Sequence, residues 1–272
     1  MESANGHAPL RMENVTIRFD DNVALDRLNL ELKQGETCVI LGSAGSGKTV
    51  LLKTALGLLL PDEGSVKLFG IDTKAVKERE LVALRSRLGI LFQEGGLFDS
   101  MNIEENVGYP LENQQSIQCP KEEIHPRVVE ALEFVELAHT LGKVPSELSG
   151  GMRRRVGIAR AIVTHPELLL YDSPTAGLDP ITANTIMALV AKERDLRKTT
   201  TALATHRYQD GHLLANYRYN ARTGRLEAAG EHELHTRFLV LREGRIVFEG
   251  SQDDLEASTD SYISKFAVPL RG

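Results

Sequence analysis

The sequence predicts an α/β fold with a mainly parallel core sheet, an antiparallel β lobe and an inserted helical subdomain. Three observations predict it. Thr37–Leu41 (TCVIL) is apolar throughout, as a strand covered on both faces of its sheet must be, and it runs through a glycine-rich stretch into a helical pattern. Strand signals return at residues 168–171 (LLLY) and 200–204 (TTALA), with helical spacing over about 182–196 between them, the alternation of a parallel sheet. Between residue 93 and about 166 the apolar spacing is helical, so the α/β pattern is interrupted rather than ended.

The elements follow in order from the same rules. Residues 14–19 (NVTIRF) and 28–32 (LNLEL) alternate apolar with polar and read as half-buried strands. Residues 50–59 read as a helix stopped by Pro61-Asp62, and 65–69 as a short strand. Residues 78–87 read as a helix and 88–92 (LGILF) as a buried strand. Within the insertion, Ile124, Val128, Leu132, Val135 and Leu137 approximate one face of a helix, and 153–163 makes another. Near the end, 238–241 and 245–248 flank Glu243-Gly244 as a hairpin. Tyr217–Asn220 and Arg225–Ala228 bracket Ala221-Arg222-Thr223-Gly224 as an extra one. One domain is expected over 8–268, with core and β lobe at about 10–93 and 167–250. The helical subdomain takes about 94–166, the extra hairpin about 216–234 and a tail 251–272.

Composition removes several classes of function. The 272 residues carry 32 Lys+Arg against 38 Asp+Glu, a net charge of −6 that argues against a dedicated nucleic-acid binder. Apolar residues at 42% and charged residues at 26% exclude disordered and collagen-like chains. Cys38 and Cys119 fall in no redox or metal spacing, which fits ordinary thiols in a reducing compartment. Residues 1–9 lack the basic start and apolar stretch of a secretory signal, and no apolar run approaches the ~18 residues of a membrane span. A soluble chain is expected, with any membrane role reached through a partner.

Gly42-Ser43-Ala44-Gly45-Ser46-Gly47-Lys48-Thr49 fits G-x-x-x-x-G-K-[ST], between a buried strand and a helix. Glycines there let consecutive backbone N–H groups turn inward around phosphate oxygens at the positive end of a helix. Lys48 then reaches the β- and γ-phosphates and Thr49 ligates Mg²⁺. A P-loop NTPase that binds a nucleoside triphosphate follows. The apolar strand LLLY ends in Asp172, the carboxylate that a Walker B strand uses to position Mg²⁺; capping the next helix is its plainer role.

Leu148-Ser149-Gly150-Gly151-Met152 lies between these two motifs and opens a helix. Together the three segments resemble the ATP-binding cassette (ABC) ATPases, over about residues 10–250. The resemblance implies an ABC-type fold, ATP and Mg²⁺ as ligands, and a head-to-tail homodimer that sandwiches two ATP molecules. Each ATP would lie between one chain's P-loop and the other's Ser149, Gly150 and Gly151, whose helix N-terminus suits a γ-phosphate. By position, Phe19 stands where the family places an aromatic on adenine, although a strand residue of that spacing can also pack inward. Gln93 matches the glutamine that touches Mg²⁺ or its water and links to the membrane subunit. Asp179, after Leu178, matches a loop that contacts the opposite subunit, and His206 matches the histidine that contacts the γ-phosphate.

The pattern breaks at Ser173, where the family usually has the glutamate that polarises the attacking water. A serine hydroxyl accepts a proton poorly, and losing a positioned base costs about 10²–10⁴-fold in rate. Nucleotide binding and closure of the dimer rest on positioning and electrostatics and are expected to persist. Three outcomes compete: slow hydrolysis with His206 and Ser173 orienting water, use of Glu94 as the carboxylate, or a switch that rarely turns over. Slow but real hydrolysis is the expectation. Arg153-Arg154-Arg155 is expected on a solvated helix face near the phosphates rather than on DNA. His232 and His235 make no metal-binding pattern.

Residues 92–102 (FQEGGLFDSMN) and 105–111 (ENVGYPL) resemble the Mla/Mce-type subgroup, whose ATPases energise lipid transport between bacterial membranes. That resemblance implies an integral membrane permease docked near Gln93–Asn102, with Leu97 and Phe98 facing it or packing internally. It places the chain in the cytoplasm, peripheral on the inner face of the cell membrane. The rival is a soluble, non-transport ABC switch module.

Overall fold

The computed structural model describes residues 7–114, 116–230 and 234–267. From the N-terminal side, β1 (Leu10–Phe19) and β2 (Asn22–Leu32) form a hairpin, and β3 (Thr37–Leu41) leads through the glycine-rich loop into α1 (Lys48–Ala55). β4 (Glu63–Leu68), β5 (Ile71–Asp72), α2 (Glu78–Arg85) and β6 (Leu88–Leu91) follow. The insertion is α3 (Ile103–Asn113), α4 (Lys121–Phe134) and α5 (Gly150–Ile162). β7 (Leu168–Asp172), α6 (Pro180–Arg197), β8 (Thr200–Thr205) and α7 (Tyr208–Asn216) return to the core. β9 (Tyr217–Asn220) and β10 (Arg225–Ala228) make a small hairpin on the strands the sequence assigns. β11 (Thr236–Arg242), β12 (Arg245–Gly250), α8 (Gln252–Glu256) and a 3-10 turn at Ile263–Phe266 complete it.

Three sheets result. The central one runs β12-β11-β3-β8-β7-β6, parallel except for β12 at its edge. An antiparallel sheet, β2-β1-β4-β5, covers one of its faces, and β9-β10 stands apart. The central strands read as unbroken apolar runs because alternate residues feed different cores. Val39, Leu169, Tyr171, Leu203 and Phe238 join the cluster built with α3–α7. Cys38, Ile40, Leu168, Leu170 and Leu239 join the one built with α1, α2 and the antiparallel sheet.

Several expected boundaries move, each for a local reason. The helix expected to run to residue 59 ends at Ala55, because Gly57 takes a left-handed φ of 66°. Its N–H donates to Thr54 O and that of Leu58 to Lys53 O, the paired bonds that close a helix with glycine one past its cap. The helix expected from residue 153 starts at Gly150, capped by the Ser149 hydroxyl. The α4 helix lies three residues earlier than the apolar spacing suggests, with Pro120 at its N-cap.

The expectation of a solvated arginine face is wrong. Arg153 donates to Leu148 O, Arg154 to Ser173 O and Ala176 O, and Arg155 to Val135 O. Arg154 is only 8% exposed. These three cations brace backbone turns. Leu97 packs against the core, while Phe98 is half exposed, its ring 4.8 Å from that of Tyr109. His232 and Glu233 lie outside the described residues.

Candidate functional site

The parallel strands β3, β7 and β8 end together, and the loops leaving them build one cavity of about 680 Å³. After β3 the chain turns through Gly45 (φ 77°) and Gly47 (φ 106°), the latter being the N-cap of α1. A side chain at Gly47 would lie 2.7 Å from Ala24 O, and one at Gly42 2.5 Å from Ser46 Oγ. Glycine is therefore required at both places, by left-handed backbone in the first and by close packing in the second. The Lys48 ammonium donates to Gly42 O and Ser43 O at 2.8 Å each, gathering the loop around itself. Burial pushes the pKa of this amine down, and the nearby Asp172 carboxylate opposes that shift.

Thr49 Oγ1 donates to Asp172 Oδ2 at 2.8 Å, so the helix after the P-loop and the end of β7 meet at two hard oxygens. The pair fits the donor chemistry of Mg²⁺, which is bound through few protein oxygens and several waters. Ser173 adopts a left-handed φ of 48°, donates its N–H to Ala204 O at 2.7 Å and points its hydroxyl at Asp172 Oδ1, 3.3 Å away. Gln93, Ser173 and His206 all line the cavity with the P-loop. Glu94 is exposed and absent from that lining; its charge acts on Arg154 instead. Phe19 is 45% exposed, so it does not pack inward; it stands on the β1–β2 hairpin whose Val23 and Ala24 line the cavity.

The remaining expected residues lie elsewhere on the chain. Ser149 caps α5 by accepting from Met152 N, and both Ser149 and Gly150 are exposed. Gly151 is buried, and a side chain there would strike Thr182 Cγ2 at 2.5 Å. Asp179 caps α6, accepting from Ile181 N and Thr182 N, and hydrogen bonds to Thr182 hold its carboxyl below the usual range. None of these four residues lines the P-loop cavity, so a single chain does not bring the two groups together.

Sequence reasoning missed part of the site. Phe266 lines the cavity, and the Tyr262 hydroxyl meets Ser43 N at 3.3 Å and Ser43 Oγ at 3.1 Å while donating to Leu241 O. Arg154 holds the turn that carries Ser173 from below. Nothing in the local pattern around these residues points to the P-loop; only the fold makes them neighbours.

Comparison with known proteins fits this geometry. A family model described as ABC transporter matches residues 25–176. The intermembrane phospholipid transport system ATP-binding protein MlaF of Haemophilus influenzae is 32% identical, over 94% of this chain and 89% of that protein. The methionine import ATP-binding protein MetN of Carboxydothermus hydrogenoformans is 37% identical, over 85% of this chain and 62% of that one. Among solved structures, a dimeric ATP-binding cassette in a post-hydrolysis state bound to ADP and Pi superposes with a TM-score of 0.73 at 31% identity. It covers 89% of this chain and 98% of its own.

Proposed function

The chain belongs to the ABC transporter family, and from that premise we propose that it powers phospholipid movement across or between membranes by closing, as a head-to-tail pair, around Mg·ATP. It is an ABC-type ATPase subunit that binds ATP. The observation that carries the finer reading is the division of the site: the phosphate cradle and the exposed α5 N-terminus share no cavity within one chain. Two copies related by a two-fold axis would complete two sites at once. The cargo reading draws support from the MlaF relative, which this chain matches nearly end to end, whereas it spans 62% of the methionine importer.

In this reading the backbone N–H groups of the P-loop and the Lys48 ammonium hold the phosphates, while Phe19 stacks on the base. Thr49 and Asp172, with Gln93 near them, would hold Mg²⁺, which when bound neutralises charge between the β- and γ-phosphates. His206 contacts the γ-phosphate and Ser173 faces the attacking water. Without a carboxylate at residue 173, turnover is slow, and binding energy rather than bond cleavage performs the closing stroke. Gln93–Asn102 is the docking region for an integral membrane permease, through which the chain reaches the inner face of the cell membrane. Among the described residues no helix is long and apolar enough to cross a membrane.

A second reading, a non-transport switch with little turnover, draws on the Ser173 hydroxyl being aimed at Asp172. One experiment separates the two. Tagged full-length chain is recovered from its own cells in detergent, its integral membrane partner is identified, and ATP turnover of the complex is followed with phospholipid, with methionine and with neither. Stimulation by phospholipid alone is expected. Recovery without any membrane protein favours the switch.

A further inference from the structure

Beneath the cavity lies a buried carboxylate that the mechanism above does not use. Asp210, in the first turn of α7, is 2% exposed. Its Oδ2 accepts from two hydroxyls, Thr175 Oγ1 at 2.6 Å and Thr205 Oγ1 at 2.7 Å. Its Oδ1 faces Arg207 Nε at 3.7 Å, and Arg207 N donates to Thr205 Oγ1 at 3.1 Å. Both threonines are 1% exposed. Thr175 follows Ser173 by two residues and Thr205 immediately precedes His206. One oxygen atom thus joins the loop that carries Ser173 to the loop that carries His206.

Burial pushes the Asp210 carboxyl up from its ordinary range, and both hydroxyls, Arg207 and His206 pull against that shift. A carboxylate taken out of water is costly unless every lone pair finds a partner. Here the partners are supplied by the two loops themselves. The turn holding Ser173 and Thr175 is fixed from its other side by Arg154, which donates to Ser173 O and Ala176 O. The backbone of that turn is tied to β8 once, through Ser173 N–H and Ala204 O, and Asp210 adds the side-chain link that reaches past it to Thr205, the residue before His206.

We propose that Asp210 is a positioning residue for ATP hydrolysis, locking the Thr175 and Thr205 hydroxyls to one oxygen so that Ser173 and His206 are held in fixed register toward the γ-phosphate. The inference rests on the reading of this site as hydrolytic. Because Ser173 supplies no base, register between these loops carries more of the rate than it would beside a carboxylate, and a misplacement of about 1 Å can cost about 100-fold.

The test uses the full chain and a double-mutant cycle of Asp210→Asn with His206→Ala, reading kcat, ATP affinity and Tm. Asp210→Asn is expected to lower kcat by about 10- to 100-fold with ATP affinity within about threefold, and to cost less than about twofold once His206 is already alanine. Thr205→Ser, which keeps the hydroxyl, restores turnover that Thr205→Val loses. An equal loss in both His206 backgrounds, or a loss that appears in affinity, overturns the proposal. A second arm needs no turnover. The His206 ring resonances, assigned through His206→Ala, move in Asp210→Asn and Thr205→Val and stay in Thr205→Ser. Resonances unmoved in all three also overturn it. If the wild type hydrolyses nothing, the hydrolytic reading fails while the resonances still decide whether Asp210 holds His206. Should Asp210→Asn not fold, the Thr205 and Thr175→Val variants carry both arms.

Discussion

The N-terminus of α1 is enclosed by groups of its own chain, whereas that of α5 carries only its serine cap and faces solvent. Around α1, Lys48 and the Walker B aspartate are buried; the lysine holds the Gly42 and Ser43 carbonyls, and the Thr49 hydroxyl donates to Asp172. At α5, Ser149 and Gly150 face solvent, and next to them Ile181, at the start of α6, is 80% exposed. An isolated helix start and an isolated exposed isoleucine are each ordinary on a protein surface. Side by side, they make the surface that the proposed head-to-tail pairing would cover with a second copy. In the head-to-tail reading, one half of the site is specified by folding and the other by association.

Three substitutions test that division, from the largest expected effect to the smallest, and a fourth reads the stability of the core. If the filled half lacks only a base, Ser173→Glu raises ATP turnover by about 10²-fold or more, read by phosphate release at saturating Mg·ATP. No rise would mean that Ser173 is not the deficit. Gly42→Ala drives a methyl into Ser46 Oγ and the Leu241 carbonyl. It weakens ATP binding by roughly 100-fold, about 3 kcal/mol, in titrations of the single chain. Ser149→Ala leaves that affinity alone but lowers turnover about tenfold, since it removes a cap worth about 1 kcal/mol at the face offered to the partner. An affinity loss in the single chain would break the comparison.

The fourth substitution reads stability and lies in the core along α6, away from the cavity lining. Glu193, on the buried face of α6, has its carboxyl pushed up to about 7 by burial, with Thr199 and Lys192 opposing. Its Oε2 lies 3.4 Å from Arg197 Nε without a hydrogen bond, and the buried Tyr171 hydroxyl next to Asp172 in the chain also lacks one. The folded chain holds this proton more tightly than the unfolded one, so the contribution is complete below about pH 4.5 and declines toward pH 7. The loss is on the order of 3 kcal/mol. Denaturant midpoints at pH 5 and pH 8 should differ in the wild type and converge in Glu193→Gln.

What the sequence made legible divides along the same physical line. The cradle could be read because its chemistry needs particular residues at fixed spacing: glycines where N–H groups must converge, Lys48 and Thr49 at the helix start. Strand β7 could be read because burial on both faces leaves an unbroken apolar run before Asp172. Arg154, Asp210 and Tyr262 could not, because each acts on a segment far from it in the chain and no local spacing encodes the meeting. Arg154 was misread as surface charge since three successive arginines look solvated until the carbonyls they bind are in place. The end of α1 differs from the sequence expectation for a smaller reason: Pro61 is the stronger breaker by residue type, but Gly57 closes the helix before it.

The alternation of the central strands between two cores has a consequence for the chemistry. Leu168, Leu170 and Asp172 share one parity of β7, the one directed toward α1, and Tyr171 holds the other. A slip of one residue would exchange these sets, turning the aspartate away from Thr49 and a tyrosine into its place. Such a chain would lose both cores along with its metal-binding oxygen, so the hydrophobic interior acts as a proofreader for the phase of the carboxylate.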